Sequence, residues 1–259
     1  MRLDRALIAD LRTASRSRVV RLFLVLEVLA GIVFVVRRGP ETATTVLLIW
    51  VGMAILAFFA WWAGRNPRAH PRADAVPVPA AQTMFALVGV AGLLLVGAEV
   101  SLEAGVVLIA GGFAGWIWAV WRSGGTVAVR DRLLRDPLPF VPLLLLIGLP
   151  RLIVGGPGYL VAILIALPSG IGQQLLYLVG LFAPLEALRR QTDVAAVSAA
   201  LIFAVIHVPV VLEANGGDVL ASLANVILFQ ASVGLIACLA YVRHRAAVPI
   251  GIAHALAIA

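Results

Sequence analysis

The feature that most constrains this chain is a succession of apolar runs, each about long enough to cross a bilayer and separated by short polar loops. A membrane-spanning helix needs about 20 mostly apolar residues. Runs of that kind occupy 19–36, 43–63, 82–98, 103–121, 139–155, 158–182, 194–212, 219–241 and 247–259, the last being short. Hydrophobic residues fill 62% of 259 positions and charged residues only 13%, whereas a typical globular domain carries about 25% charged residues. The apolar surplus must face lipid, and in lipid only helices and closed barrels satisfy their own backbone. The expected fold class is therefore all-α, a polytopic transmembrane helical bundle of about 8–9 membrane-spanning helices, with the lipid bilayer as its first partner.

The net charge of +7 does not point to nucleic acid, because the basic residues, all arginine, sit in short clusters between the apolar runs. Their placement predicts orientation, since cytoplasmic loops collect arginine and lysine. The N-terminal tail carries Arg2, Arg5, Arg12, Arg16 and Arg18. The second loop has Arg65, Arg68 and Arg72, and the fourth has Arg122, Arg130, Arg132 and Arg135. The sixth has Arg189 and Arg190, and the eighth Arg243 and Arg245. The third, fifth and seventh loops have none, and the third and seventh carry Glu99, Glu103, Glu213 and Asp218. Only Arg37 and Arg38, in the first loop, break the alternation. The N-terminus is expected in the cytoplasm and the C-terminus outside, in a bacterial cytoplasmic membrane. The first apolar run is long enough to span and stay, so a cleaved signal peptide is not expected.

Trp61, Trp62, Trp116, Trp118 and Trp121 fall near predicted helix ends, where an interfacial anchor belt is expected. The single cysteine, Cys238, excludes an intramolecular disulfide. The polar stretch 122–138 is expected to be a linker or a surface-lying amphipathic segment. It divides the chain into an N-terminal four-helix region, 1–135, and a C-terminal membrane domain, 136–259.

Polar groups inside spans are costly and mark functional sites by default. Gln173, Gln174, His207, Asn225, Gln230 and His254 lie in the C-terminal half. At a rise of about 1.5 Å per residue, the direction of each span brings Gln173, Gln174, His207 and His254 to a similar depth. Taken singly, each is ordinary interhelical glue worth about 0.6 kcal/mol. Two histidines and a glutamine pair on three helices point further, to a shared site. Glu27 is the one carboxylate deep in a predicted span. It is expected to pair with a polar group such as Arg151, with a replacement general base as the alternative.

The order of these residues resembles the CPBP family, the CAAX prenyl proteases and bacteriocin-processing enzymes also called the ABI family. That family carries E-E-x-x-x-R on one helix, F-x-x-x-H on the next, and H-x-x-x-N or H-x-x-x-D on a later one. Here SGIGQQLLYLVG (169–180) is similar to the setting of the first motif. FAVIH (203–207) matches the second, and YVRHRAAVPIGIAHALAIA (241–259) resembles the last segment. The resemblance implies that Gln173, Gln174, His207 and His254 occupy the catalytic positions. It also exposes four departures: Gln173 and Gln174 stand for the two glutamates, Leu178 for the arginine, and Ile258 for the final Asn or Asp. Glu186 and Arg190 form a second E-x-x-x-R string, but one about 20 Å further along a helix from Gln173.

In the family the first glutamate activates a water, the F-x-x-x-H histidine assists, and the later His and Asn stabilise the oxyanion. An amide cannot take the proton, and loss of a general base costs about 10²–10⁴ in rate. The resulting expectation is a catalytically degenerate homologue that binds a hydrophobic or prenylated peptide, or another membrane protein. One alternative is an active intramembrane endopeptidase using His207 and His254, with His207 as the base. Another is a small transporter or channel. Pro168 and Gly170 interrupt helix 158–182, but the first half lacks the matching interruption that repeat-built transporters show. No cofactor is expected. A divalent metal is poorly supported, since two histidines fall short of the three protein ligands of a catalytic zinc site.

Overall fold

The computed structural model describes residues 17–63, 100–122, 140–189, 191–244 and 247–258, with a few positions between 84 and 95. The expected run 82–98 and the stretch 122–138 lie mostly outside these residues. The described chain is helical throughout, as its composition demands. In order come α1 (Arg18–Arg38), α2 (Ala43–Ala63), α3 (Leu102–Arg122), α4 (Val141–Gln174), a π-helical segment π1 (Leu175–Phe182) and α5 (Ala183–Arg189). They are followed by α6 (Thr192–Val205), α7 (Val208–Ala214), α8 (Val219–Val226), a second π segment π2 (Ile227–Ala231), α9 (Ser232–His244) and α10 (Ala247–Ile258).

Among the described residues four stretches are long and apolar enough to cross a membrane: Arg18–Arg38, Pro40–Ala60, Val141–Leu164 and Val219–Val242. The pair α6 and α7, bent by 46°, makes a fifth if it acts as one span, and Leu102–Trp116 and Ala247–Ala257 are shorter apolar helices. Leu22, Val25 and Ile32 on α1 and Leu47 and Val51 on α2 lie on the surface, where lipid replaces water as their solvent. The fold is an all-α helical membrane bundle.

The range assigned to α4 hides a reversal. Gly156 has φ 58° and ψ −150°, a conformation that a Cβ forbids. In a straight helix Gly148 and Gly170 would stand about 33 Å apart. Yet both meet the same turn of α10. A Cβ at Gly148 would lie 3.3 Å from the Leu256 side chain, and one at Gly170 only 2.6 Å from the Ala255 nitrogen. The Tyr159 hydroxyl donates to the Leu256 carbonyl at 2.6 Å. So α4 folds back at Gly156 into two arms, matching the separate runs 139–155 and 158–182 in the sequence, and α10 packs against both.

The second arm and α10 cross backbone to backbone. A Cβ at Gly251 would sit 2.6 Å from the Ile171 Cα. Small residues permit this approach, and in lipid such close van der Waals packing is a main source of helix association.

Polar contacts hold α1 against the C-terminal helices. The Ser17 hydroxyl caps α1 by accepting from the Val20 N–H and donates to the Asp193 carboxylate at the start of α6. At the other end Arg37 pairs with Asp218 at 2.8 Å, and Arg38 donates to the Asn215 carbonyl at 3.5 Å. Asp218 also caps α8. The Ala221 N–H and then the Arg37 guanidinium hold its carboxyl below the usual range. The two arginines that break the loop pattern are thus the two that contact the acidic seventh loop.

Two expectations change. Trp116 is no interfacial anchor: it is buried at 4% exposure and stacks on Phe113 in the core. Trp118 is exposed, with Arg122 5.9 Å from its ring centre, as an anchor would be. Glu27 does not pair with Arg151, which is exposed. Its Oε1 accepts from the Ser232 hydroxyl at 2.8 Å.

The Gly170–Gly251 crossing has a direct test. Gly251→Val should lower the thermal midpoint in detergent, reflecting overpacking of about 1–3 kcal/mol. Gly52→Ala, at a position with open space around it, should leave the midpoint unchanged or raise it slightly. Equal tolerance at both positions would refute the backbone crossing.

Candidate functional site

Three local irregularities place the polar side chains. The first is π1, which begins directly after Gln173 and Gln174 and ends two residues before Pro184. Pro184 has no N–H and crowds the carbonyl four residues earlier, so a widened turn just before it relieves the conflict. Such π turns recur at functional sites. With more than four residues per turn, Gln173, Tyr177 and Leu181 stay on one face. They line a small apolar hollow with Leu176 and with Ile202, Phe203 and Ile206 of α6. It holds little more than one water molecule.

The second irregularity is the break between α6 and α7, where Pro209 stands at the start of α7. The His207 N–H bonds the Ala204 carbonyl at 2.9 Å rather than the Phe203 carbonyl a full α-turn back. The Phe203 carbonyl that this frees is taken by His207's own ring: Nδ1 lies 2.6 Å from it. A carbonyl only accepts, so Nδ1 must carry the proton and the neutral ring keeps a bare Nε2. The helix break therefore fixes the tautomer that a proton acceptor needs.

The third is the α4–α10 crossing. It sets His254, three residues after Gly251, beside Gln173, three after Gly170. The His254 Nε2 and the Gln173 Oε1 are 3.2 Å apart. With the amide oriented this way the imidazole donates and the amide accepts. Phe203 stands between the histidines, its ring centre 4.6 Å from that of His207 and 6.2 Å from that of His254. Tyr177 packs on the other side of Phe203 at 4.7 Å, and its hydroxyl lies 3.1 Å from the Cys238 sulfur.

Gln173 and Phe203 line the hollow, and the rings of His207 and His254 both lie against Phe203. Gln174 is turned away from solvent, at 1% exposure, and its Oε1 has no hydrogen-bond partner. Leu178 is fully buried among Phe140 and Phe182, an interior with no place for an arginine. The side chain of Ile258 lies outside the described residues. No group of three His, Cys, Asp or Glu that could hold a metal occurs among the described residues, so this donor set does not fit one. Phe203 and Tyr177 were not singled out from the sequence as site residues. Phe203 was visible only as the first letter of F-x-x-x-H, and Tyr177 only as the aromatic after the glutamine pair.

Residues 156–258 match the family of Rce1-like proteins, described as type II CAAX prenyl endopeptidase Rce1-like. That match covers less than half of the chain and supports a CPBP (CAAX protease) assignment for that segment; the chain as a whole is a helical membrane protein. The match starts at the Gly156 bend and contains both arms' crossing partners, both glutamines and both histidines. No curated protein and no solved structure matches the chain.

The Gln173–His254 contact predicts a measurable coupling. A double-mutant cycle with Gln173→Leu and His254→Phe, read from unfolding stability in bicelles, should give about 0.6 kcal/mol and no more than about 1.7 kcal/mol. A coupling of zero with both single variants folded would mean the two side chains do not meet.

Proposed function

We propose that this protein is a CAAX-protease-like membrane protein whose proteolytic centre is degenerate, and that it binds a hydrophobic or prenylated peptide, or a partner membrane protein, without cleaving it. The observation that carries this reading is the bond between the Gln173 amide and His254. The position where the family places its water-activating carboxylate holds a group that cannot take a proton. Gln174 supports the same reading. A carboxylate there would be a fully buried charge with one oxygen unpartnered, which costs several kcal/mol; a neutral amide tolerates the position better.

One observation favours the active alternative. The bare Nε2 of His207 is a competent base in principle. A base without an oxyanion partner or a second acid is a weak catalyst, however, because such groups act as a unit.

The purified protein should show no detectable peptide-bond cleavage in liposomes, against either prenylated or unmodified membrane peptides. Gln173→Glu alone should restore little, since Leu178 and Ile258 still stand where the family has Arg and Asn or Asp. Cleavage by the wild type that disappears in His207→Ala would replace this reading with a histidine-based protease.

The orientation belongs to the same proposal. Loop arginines favour an N-terminus in the cytoplasm. The α1 contacts agree in relative sense: Ser17 meets Asp193 at one end of the helix, and Arg37 meets Asp218 at the other. A reporter fused after Arg135 should read cytoplasmic and one fused at Gly216 external; reversal at either site would invert the protein.

A further inference from the structure

Glu27 lies outside the match to the CAAX-protease family and outside the hollow. It sits midway along α1 at 5% exposure. One carboxyl oxygen accepts from Ser232 at 2.8 Å, and the other has no hydrogen-bond partner. Ser232 is the first residue after π2. Both π segments among the described residues therefore adjoin a polar group in an apolar run: π1 follows Gln173 and Gln174, and π2 leads into the partner of Glu27.

No cation faces this carboxyl among the described residues. On α1 itself Arg18 and Arg21 lie toward one end, and Arg37 and Arg38 at the other. Neither α2 nor α8 carries an ionisable side chain, and π2 carries none. The short helix after α1 has Glu41, which is exposed. On α6 the acidic group is Asp193, engaged by Ser17; Asp218, capping α8, is engaged by Arg37. His207 opens α7, where Val208 packs beside Phe23, but its Nδ1 is bound to Phe203, and Glu213 is exposed. On α9 the Cys238 sulfur meets Tyr177.

An ionised carboxylate with one hydrogen bond and one bare oxygen, inside the bundle and without a counter-charge, costs several kcal/mol. The neutral acid carries no charge to desolvate; it keeps the Ser232 bond and leaves one O–H without an acceptor, a smaller cost. A hard cation would want about six oxygen ligands, and among the described residues only the Ser232 side chain meets the Glu27 carboxyl. We propose that Glu27 and Ser232 form a proton-binding site at the contact of α1 with the second π segment, with the carboxyl held as the neutral acid in the folded protein. The ligand is a proton, taken up at Oε2 while Oε1 keeps the Ser232 bond. This site is distinct from the Gln173–His254 centre and does not depend on the reading given for it.

Infrared difference spectroscopy of the full chain in liposomes tests this directly. At neutral pH the wild type should show a protonated-carboxyl C=O band that is absent from Glu27→Gln. Ser232→Ala should shift the same band to higher frequency, because it removes the hydrogen bond to the carbonyl oxygen. The shift identifies the band even if Glu27→Gln folds poorly. Titration to alkaline pH should remove the band, and sodium at constant pH should not. Absence of any Glu27-dependent or Ser232-dependent band at neutral pH would overturn the proposal. So would loss of the band on adding sodium, which would make this a cation site instead.

Discussion

The approach of the second arm of α4 to α10 is the contact on which the rest of the site depends. Water drives no association inside a bilayer, so two helices stay together through the quality of their packing. Gly170 and Gly251 bring the backbones to a distance that no side chain would allow. Gln173 and His254 are then fixed by short offsets along rigid helices from that crossing, while His207 is set by the separate break between α6 and α7. The fold-back at Gly156 lets one helix, α10, serve as the common wall of both arms.

Much of the architecture is legible in the sequence because the bilayer imposes one strict rule, a minimum length of apolar helix. The runs 19–36 and 219–241 read correctly for that reason, and so does the break between 155 and 158, where Gly155, Gly156, Pro157 and Gly158 can hardly continue a helix. The break within 194–212 was not anticipated, although Pro209 is its visible cause. Composition in that stretch is apolar on both sides, so hydropathy alone runs through it. The two π segments were equally hidden, since widening a turn changes hydrogen-bond partners without changing hydrophobicity.

The polar side chains of the candidate site were legible by type but not by partner. Histidines and glutamines in apolar runs announce themselves by cost. Which atoms meet depends on helix rotation, and that is set by small residues and helix breaks rather than by polar groups. Trp116 illustrates the converse error. Indoles favour interfaces in general, yet this one fills a core position against Phe113, with its ring nitrogen unpartnered. The Glu27 pairing with Ser232 spans 205 residues, and no local pattern signals it.

The Arg37–Asp218 pair joins positions 181 residues apart. A ribosome delivers them in that order, with six apolar stretches emerging between Arg37 and its partner. Until Asp218 is made, the first hairpin presents two cationic groups on the side where this chain otherwise places none. In the orientation proposed above, the arginines of the N-terminal tail and of the second loop, Arg65, Arg68 and Arg72, oppose them. The acidic seventh loop then acts as a late clasp, closing over a hairpin that has waited in the membrane for most of the chain's synthesis.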